Sequence, residues 1–336
     1  MKYWARWACV LGGACLLSVS PARAEDAAPA APAAAAKKSG IVVDIKTNRI
    51  VLMDVALAGN RLVAVGERGF TMVSDDAGTS WKSIATPVTR TLTGIAFKDA
   101  KVGVAVGHGA SVVRTDDGGT SWTHVPLPEA EPESLLGVAH LDGDRFVTYG
   151  AFGMYFESVD AGRTWQKRMV MAEDFDRHIS QVLPVGNSLF MVGESGTMAR
   201  SDDGGATWTA VTSPYAGSYF AELSTRDGAL LAYGMRGNVY RSTDLGATWQ
   251  KVPLDTTQSL MQGRQLADGR ILLVGNTGML AVSNDGGQTC DLHWAPGGRG
   301  FSALAEADGK VILVGETGVT MLDPAWLTGK APAAAQ

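Results

Sequence analysis

Short apolar runs, rather than long amphipathic stretches, dominate the pattern of the chain from residue 41 onward. Each run has the length of a strand, is rich in Val, Ile, Leu and Ala, and is bounded by Gly, Asp or Ser. Arg61-Leu-Val-Ala-Val-Gly66, followed by Phe70-Thr-Met-Val73, is an example. Runs of this length, with turn residues on both sides, predict β-strands. The pattern therefore predicts an all-β domain.

An octet with the pattern Ser/Thr-x-Asp-x-Gly-x-x-Trp occurs six times between these runs. Only the sixth copy ends in Cys290 instead of Trp. Its last positions, 81, 122, 165, 208, 249 and 290, are 41, 43, 43, 41 and 41 residues apart. A fixed period of about 40–45 residues with strand-like content predicts the blades of a β-propeller. The repeated acidic and aromatic residues are Asp76, Asp117, Asp160, Asp203, Asp244, Asp285, Trp81, Trp122, Trp165, Trp208 and Trp249.

Two further repeats raise the number of units from six to seven. A Gly-x-x-Gly segment, once slightly shifted, and an apolar opening segment each occur seven times. Each full unit then has four strands, and we expect its glycines to supply the positive φ of two-residue hairpins. The seventh unit has only three strands, and Ile41–Ile45 is the candidate for its fourth. The prediction is a seven-bladed β-propeller whose ring is closed by this N-terminal strand, with six or eight blades as alternatives.

The N-terminus has the features of an export signal. Lys2 and Arg6 precede an apolar stretch over residues 8–19, and Ala22 and Ala24 flank Arg23 in a cleavage-site pattern. This predicts a signal peptide over 1–24, an Ala- and Pro-rich linker over 25–38, a propeller over 39–327 and a flexible tail over 328–336. A membrane anchor, or a lipoprotein acylated at Cys15, is the weaker alternative. We expect an exported, periplasmic protein with no membrane span after cleavage.

The net charge and the cysteine content limit which classes of partner, disulfide and metal site are expected. The net charge of −5 and the pI near 5.6 argue against nucleic acid. Of three cysteines only Cys290 would remain after cleavage, so no internal disulfide is expected. The octets lack the spacing of a calcium loop, and neither a metal nor another cofactor is predicted. Because Cys290 replaces a Trp, we expect Trp294 to fill the gap.

The octet resembles the Asp-box, also called the bacterial neuraminidase repeat. In such a turn the Ser/Thr hydroxyl and the Asp carboxylate can bond backbone N–H groups, so we interpret the octet Asp residues as structural. The enzymatic alternative is a sialidase-like or other glycan-active glycoside hydrolase. Tyr215, Tyr219 and Glu222 are close in sequence, but Glu222 falls inside a strand pattern. We therefore predict no catalytic residues and no enzyme activity.

The repeat unit also resembles that of the photosystem II stability/assembly factor family and its relatives in non-photosynthetic bacteria. Leu92–Asp99, Val102–Gly107 and Arg114–Trp122 are similar to that family's repeat, and the similarity extends over about residues 41–322. It implies an exported, non-catalytic propeller that binds protein subunits during assembly. Because the chain has neither a convincing lipoprotein signal nor a plastid transit signal, the expected partner is a subunit of another inner-membrane complex or an exporter. We expect a monomer.

The topology suggests which face binds the partner. The octets lie between the third and fourth strands, so the Gly-x-x-Gly turns and the links between units share the opposite face. The resemblance implies an Arg-rich binding patch on one face, as the photosynthetic members of the family use, and Arg makes bidentate contacts to carboxylates. Exposed turns can also carry charge without a binding role. The predicted binding residues are Arg49, Arg68, Arg90, Arg177, His178, Arg236 and Arg299.

The longest links add apolar and aromatic residues with two alternative roles. They could contact a partner or cover the edges of the blades. These residues are Met169, Met171, Phe175, Tyr215 and Tyr219.

Overall fold

A computed structural model describes residues 37–130, 132–172 and 174–327. Within them, 29 strands form seven antiparallel sheets, and the prediction of an all-β, seven-bladed propeller is confirmed. The predicted signal peptide, the tail and the linker up to residue 36 lie outside the described residues. No helix in the described ranges has both the length and the apolar character needed to cross a membrane.

The strands are numbered along the chain, and each blade is numbered in chain order. Blade 1 contains β2 (Ile41–Val43), β3 (Leu52–Ala58), β4 (Arg61–Gly66), β5 (Phe70–Ser74) and β6 (Lys82–Ala85). Blade 2 contains β1 (Lys38–Ser39), β7 (Leu92–Phe97), β8 (Gly103–Gly107), β9 (Ser111–Thr115) and β10 (Trp122–His124). Blade 3 contains β11 (Leu135–His140), β12 (Phe146–Gly150), β13 (Tyr155–Ser158) and β14 (Gln166–Lys167).

The remaining four blades follow the same plan. Blade 4 contains β15 (Ile179–Val185), β16 (Ser188–Gly193), β17 (Met198–Ser201) and β18 (Thr209–Ala210). Blade 5 contains β19 (Tyr219–Ser224), β20 (Leu230–Gly234), β21 (Val239–Ser242) and β22 (Gln250–Val252). Blade 6 contains β23 (Leu260–Gln265), β24 (Ile271–Gly275), β25 (Met279–Ser283) and β26 (Asp291–Trp294). Blade 7 contains β27 (Phe301–Ala307), β28 (Lys310–Gly315) and β29 (Gly318–Met321).

Short 3₁₀ segments complete the secondary structure. Five of them connect the second and third strands of a blade, and a sixth follows the last blade. Their bounds are Glu67–Gly69, Ala151–Gly153, Glu194–Gly196, Met235–Gly237, Asn276–Gly278 and Pro324–Leu327.

The ring is closed by packing rather than by a shared sheet. The inner strand β27 contacts the inner strand β3, and Ile312 of blade 7 shares a core cluster with Leu52 and Leu62 of blade 1. Burial of apolar side chains between neighbouring blades therefore continues around the whole ring.

The predicted role of the N-terminal strand is wrong. Strand β2 pairs with β6 at the outer edge of blade 1, and β1 pairs with β10 at the outer edge of blade 2. Blade 7 has three strands in the described part of the chain, and one hydrogen bond, from the Val319 N–H to the Thr47 carbonyl (3.2 Å), joins β29 to the N-terminal segment. A short β-branched segment fits many free strand edges, so its composition does not specify which edge it joins.

The octets form the same hydrogen-bonded turn in all six blades that carry one. In blade 1 the Ser74 hydroxyl donates to Asp76 (2.8 Å) and accepts from the Gly78 N–H (2.9 Å). The Asp76 carboxylate also accepts from the N–H and the hydroxyl of Ser80, at 2.8 and 2.6 Å. The carboxylate is thus engaged within its own turn, as expected for a structural residue.

Each octet Trp packs against the preceding blade. Trp122 of blade 2 lies in a cluster with Val63 and Val73 of blade 1, and Trp208 of blade 4 meets Tyr155 of blade 3 edge to face, with ring centroids 6.0 Å apart. In blade 6, where Cys290 replaces the Trp, Trp294 packs into the same core cluster as Cys290. That Trp294 fills the space of the missing octet Trp stays a prediction.

Acid should destabilise the protein by protonating octet carboxylates. Hydrogen bonds from the octet hydroxyl and N–H groups lower the pKa of Asp76, Asp203 and Asp244 to about 2. An Asp in an unfolded chain has a pKa of about 3.9, so the stability these carboxylates contribute is complete above about pH 4 and is lost as the pH falls toward 2. We expect the midpoint of urea unfolding to fall over this pH range.

The variant Asp203→Asn isolates one of these groups. Because Asn does not titrate, its unfolding midpoint should be lower than that of the wild type near neutral pH and should fall less steeply below pH 4. Parallel curves for the two proteins would show that octet protonation does not cause the acid sensitivity.

Candidate protein-binding face

One face of the propeller, here called the link face, is built by turns and links. The turns join the second and third strands of each blade, and the links lead from the outer strand of one blade to the inner strand of the next. In every blade the first N–H of the turn donates to the carbonyl before the inner strand, for example from Glu194 to His178 at 2.9 Å. These seven bonds, of 2.9–3.1 Å, hold turns and links together as one rim.

The two glycines of the Gly-x-x-Gly segment have different roles, which corrects the hairpin prediction. The first, such as Gly193, has an extended backbone with φ of −171°. A β-carbon at Gly193 would lie 2.2 Å from the His178 carbonyl oxygen, so glycine is needed there for close approach. Only the second, such as Gly196 (φ +74°), has the positive φ expected from the sequence.

The residue between them also has a left-handed backbone in five blades. This position holds Arg68, Phe152, Ser195, Arg236 or Thr277, with φ between 52° and 59°. A side chain costs free energy in this conformation, most of all a bulky one such as phenylalanine. The turn therefore holds side chains at the tip of the link face at a conformational cost.

All seven predicted binding residues lie on the link face. Arg68 and Arg236 occupy the left-handed turn position, and the other five lie in links just before inner strands. The six arginines are exposed, and His178 is half-buried.

Blades 3 and 4 bring several of these groups into one cluster. Arg177 donates to the Ser195 carbonyl at 2.8 Å, and His178 Nδ1 lies 2.5 Å from Glu194 Oε2. The hydrogen bond from His178 lowers the pKa of Glu194. The Phe152 ring, 57% exposed, lies 5.1 Å from the His178 ring. Sequence reasoning missed Phe152, and its only signal was a large aromatic residue between two turn glycines.

The arginines of the two faces differ in their ion pairing. At or near the octet face, seven arginines form ion pairs at 2.6–3.9 Å: Arg61–Asp75, Arg114–Asp116, Arg145–Glu157, Arg163–Asp116, Arg200–Asp202, Arg241–Asp227 and Arg270–Asp268.

On the link face, Arg68 pairs with the neighbouring Glu67 at 3.2 Å, and Arg168, at the start of the link after β14, pairs with Glu157 at 3.0 Å. Arg49, Arg90, Arg236 and Arg299 have no carboxylate within 4.0 Å among the residues that the structure describes. These four guanidinium groups can bind an external carboxylate without breaking an ion pair within the chain.

Most of the apolar link residues cover blade edges rather than face solvent. Phe175 and Met171 pack against the core cluster between blades 3 and 4. Tyr219 is fully buried, and Tyr215 stacks on Tyr240 with ring centroids 6.1 Å apart. Met169 alone among the five is strongly exposed (69%).

A central channel runs between the inner strands and opens on the link face. Its wider part is a cavity of about 650 Å³ with Met53, Phe220 and Met261 in its lining. Side chains in its wall join neighbouring blades: Asp54 accepts from the Ile95 N–H of the next blade at 3.0 Å. Burial raises the pKa of Asp54 to about 6, although this N–H and others partly oppose the effect.

Tyr219 and Glu222, which are close in sequence, are not paired in the structure. The Tyr219 hydroxyl lies 3.1 Å from the Ser213 hydroxyl, and Glu222 lines the channel wall, so no Tyr–Glu pair forms between them. Burial raises the pKa of the Cys290 thiol to about 12, which keeps it protonated and unreactive. Over the three described ranges, no group of three or more His, Cys, Asp or Glu side chains is arranged to hold a metal ion.

The sequence of the chain matches a known protein family. The model of the family described as photosynthesis system II assembly factor YCF48 matches residues 73–291, which is more than half of the chain. The chain belongs to this family. The YCF48 family match spans blades 3 to 5 completely and blade 2 except for strand β1, and it confirms the resemblance of the repeat units. No curated protein sequence matches the chain.

Solved structures show the same fold. The structure of YCF48 bound to a D1 peptide is 20% identical, with a TM-score of 0.68 over 83% of this chain and 94% of that one. YCF48 from Cyanidioschyzon merolae is 15% identical, with a TM-score of 0.68 over 85% and 99% of the two chains. The WD40 β-propeller domain of Doa1 is 11% identical, with a TM-score of 0.63 over 84% and 95%.

Proposed function

We propose that this protein is an exported, non-catalytic assembly or accessory factor that binds a segment of a membrane-complex subunit on its link face. Membership of the YCF48 family supports an assembly role, and a relative of the same fold is bound to a D1 peptide. The partner we propose is a subunit of an inner-membrane complex or an exporter, met in the periplasm after cleavage behind Ala24.

The observation that carries this proposal is the contrast in ion pairing between the two faces. Most arginines near the octets pair with carboxylates of the chain, Arg226 being an exception, whereas Arg49, Arg90, Arg236 and Arg299 of the link face do not. Unpaired, exposed guanidinium groups favour a partner rich in carboxylates. The exposed Phe152 beside Arg177 adds an apolar contact. An extended acidic segment that also carries an apolar side chain fits this surface best.

No observation favours a hydrolase as a second function. The octet carboxylates are engaged within their turns, and Tyr219 and Glu222 do not meet. We propose that the protein acts as a monomer, without a cofactor and without binding nucleic acid, because its negative net charge does not suit a phosphate backbone.

Charge reversal on the link face tests the proposal. Cross-linking in the native host would identify the membrane subunit, and synthetic peptides of its exposed acidic segments would serve for affinity measurements. We expect Arg90→Glu and Arg177→Glu each to weaken peptide binding by at least about tenfold, because each replaces attraction of a carboxylate by repulsion. Wild-type binding should also weaken as salt is added.

Lys251→Glu is the matched control, because it reverses one exposed charge within the outer strand β22 and not in a turn or link. It should leave the affinity unchanged. Equal losses for all three variants would point to net charge alone, and no loss for either arginine variant would show that the partner binds elsewhere.

A further inference from the structure

The seven inner strands share a β-bulge at the same position. In blade 1 the register between β3 and β4 shifts between Leu52 and Asp54, and the other six blades show the same shift. A bulge redirects a side chain out of the regular alternation of a strand, and bulges recur next to functional sites. The residues skipped at these shifts, here called the bulge residues, are Met53, Thr93, Leu136, Ser180, Phe220, Met261 and Ser302.

All seven bulge residues line the wide cavity of the central channel, and all are half-buried, so each keeps surface that a ligand can contact. Each is the second residue of its inner strand, and the links enter the inner strands at that end. The bulge residues therefore surround the mouth of the channel on the link face. Four of them are large and apolar, namely Met53, Leu136, Phe220 and Met261, and the other three are serine or threonine.

Several polar side chains of the channel wall are already engaged in bonds between blades. The side-chain carbonyl of Gln181 accepts from the Glu222 N–H at 2.8 Å, and that of Gln262 accepts from the Leu304 N–H at 2.8 Å. The side-chain amide of Gln262 also donates to Asp54 at 3.2 Å. Because these groups hold the ring together, the surface that the mouth offers to a ligand is largely the apolar surface of the bulge residues.

Arginines surround the same mouth. Arg90, Arg177 and Arg299 each precede a bulge residue by three positions, and Arg49 precedes Met53 by four. Arg264 lines the cavity itself, and it forms no ion pair within 4.0 Å among the described residues. An apolar centre within a positively charged rim is complementary to an acidic segment that carries a large apolar side chain.

We propose that the channel mouth receives one large apolar side chain, such as leucine, methionine or phenylalanine, from an extended acidic segment of the partner. This contact rests on the proposed function and adds to it the centre of the interface. Phe220 and Met261, on the neighbouring inner strands β19 and β23, supply most of the apolar surface on one side of the mouth. The cavity, of about 650 Å³, has room for such a side chain. Apolar anchors in a central pocket within a polar rim carry much of the binding free energy of protein complexes.

Two fluorescein-labelled acidic peptides test this contact. One has the sequence Glu-Asp-Glu-Leu-Glu-Asp-Glu, and the other has alanine in place of the central leucine. The two peptides have the same charge, so a difference in affinity reports the apolar side chain alone. We expect the wild-type protein to bind the leucine peptide at least about tenfold more tightly, because leucine transfers more apolar surface out of water. Fluorescence anisotropy titrations would measure both affinities.

Variants at the mouth locate the contact. Phe220→Ser and Met261→Ser should each reduce the preference for the leucine peptide at least about threefold, and the double variant should abolish it. Val159→Ser is the matched control, because it removes a 62% exposed apolar side chain from an octet turn, and it should leave the preference unchanged. Arg90→Glu should weaken both peptides alike and keep the preference. Thermal unfolding would verify that the variants fold.

The outcomes separate this contact from the proposed function. Equal affinities of the two peptides for the wild-type protein would overturn the inference, and the proposed function would stand if Arg90→Glu still weakened both. An unchanged preference in the double variant would show that the leucine binds elsewhere, for example beside Phe152, and would overturn it as well. No saturable binding of either peptide below about 1 mM would contradict both proposals. The comparison of the two peptides uses the wild-type protein and decides the matter even if a variant does not fold.

Discussion

Replacing Trp122 with alanine is expected to lower the free energy of unfolding by about 3–5 kcal/mol. The side chain is fully buried and packs between blades 1 and 2 against Val63, Val73 and Ile84. Its indole nitrogen makes no hydrogen bond in the described part of the chain, so the loss is one of packing alone. Urea unfolding followed by circular dichroism would measure it.

Trp208→Ala is the matched control for this prediction. Trp208 occupies the same octet position in blade 4, and its indole nitrogen is also without a hydrogen bond in the described residues, but the side chain is only half-buried. Its removal should cost distinctly less, because less apolar surface returns to water. Equal losses would show that burial between the blades does not set the contribution of the octet Trp.

Replacing Gly193 with alanine should both destabilise the protein and weaken partner binding. The new β-carbon would lie 2.2 Å from the His178 carbonyl oxygen, so the link that carries Arg177 and His178 must move. Overpacking of this kind costs about 1–3 kcal/mol. We expect the affinity for the acidic peptide to fall at least about tenfold, since the binding groups move with the link. Calorimetry and urea unfolding on one preparation would separate the two effects.

Gly186→Ala controls for backbone strain without a clash. Gly186 has φ of +60° in a turn of blade 4 on the octet face, and nothing lies within 4 Å of an added β-carbon. Alanine there should cost about 1 kcal/mol through its left-handed backbone and should leave peptide binding unchanged. A loss of affinity in this variant as large as that in Gly193→Ala would show that lowered stability, rather than the displaced link, is responsible.

Much of the fold could be predicted from the sequence because the period is encoded in local chemistry. The octet specifies a turn through bonds between residues two and four apart, such as those from Ser74 to Asp76 and Gly78. Such contacts do not depend on the rest of the chain, and repetition multiplies the signal. The identity of the two faces follows from it, whereas the seventh blade follows from the repeated Gly-x-x-Gly and apolar opening segments.

Pairings between distant segments could not be predicted in the same way. Ile41–Val43 has the composition of a strand, but nothing in three apolar residues distinguishes the edge of β6 from that of β29. The first glycine of each turn was correctly expected at a turn, but its reason, contact with the carbonyl of a link, involves residues at least 15 positions away, as for Gly193 and His178.

For the binding residues, too, the sequence predicted the position along the chain but not the contacts of the side chain. The arginines of the link face could be placed by topology alone, but their lack of carboxylate partners depends on side-chain positions. Glu222 looked like an ordinary residue in a strand, and only the closed ring shows that its carboxyl group is buried.

The left-handed turn position gives this propeller a way to diversify. Arg68, Phe152, Ser195, Arg236 and Thr277 share nearly one backbone conformation, which is imposed by the glycines and carbonyls around them and not by the side chains themselves. Residues at these tips can therefore be exchanged one at a time while the scaffold stays intact. Related proteins can thereby acquire new recognition preferences through single mutations, without passing through unstable evolutionary intermediates.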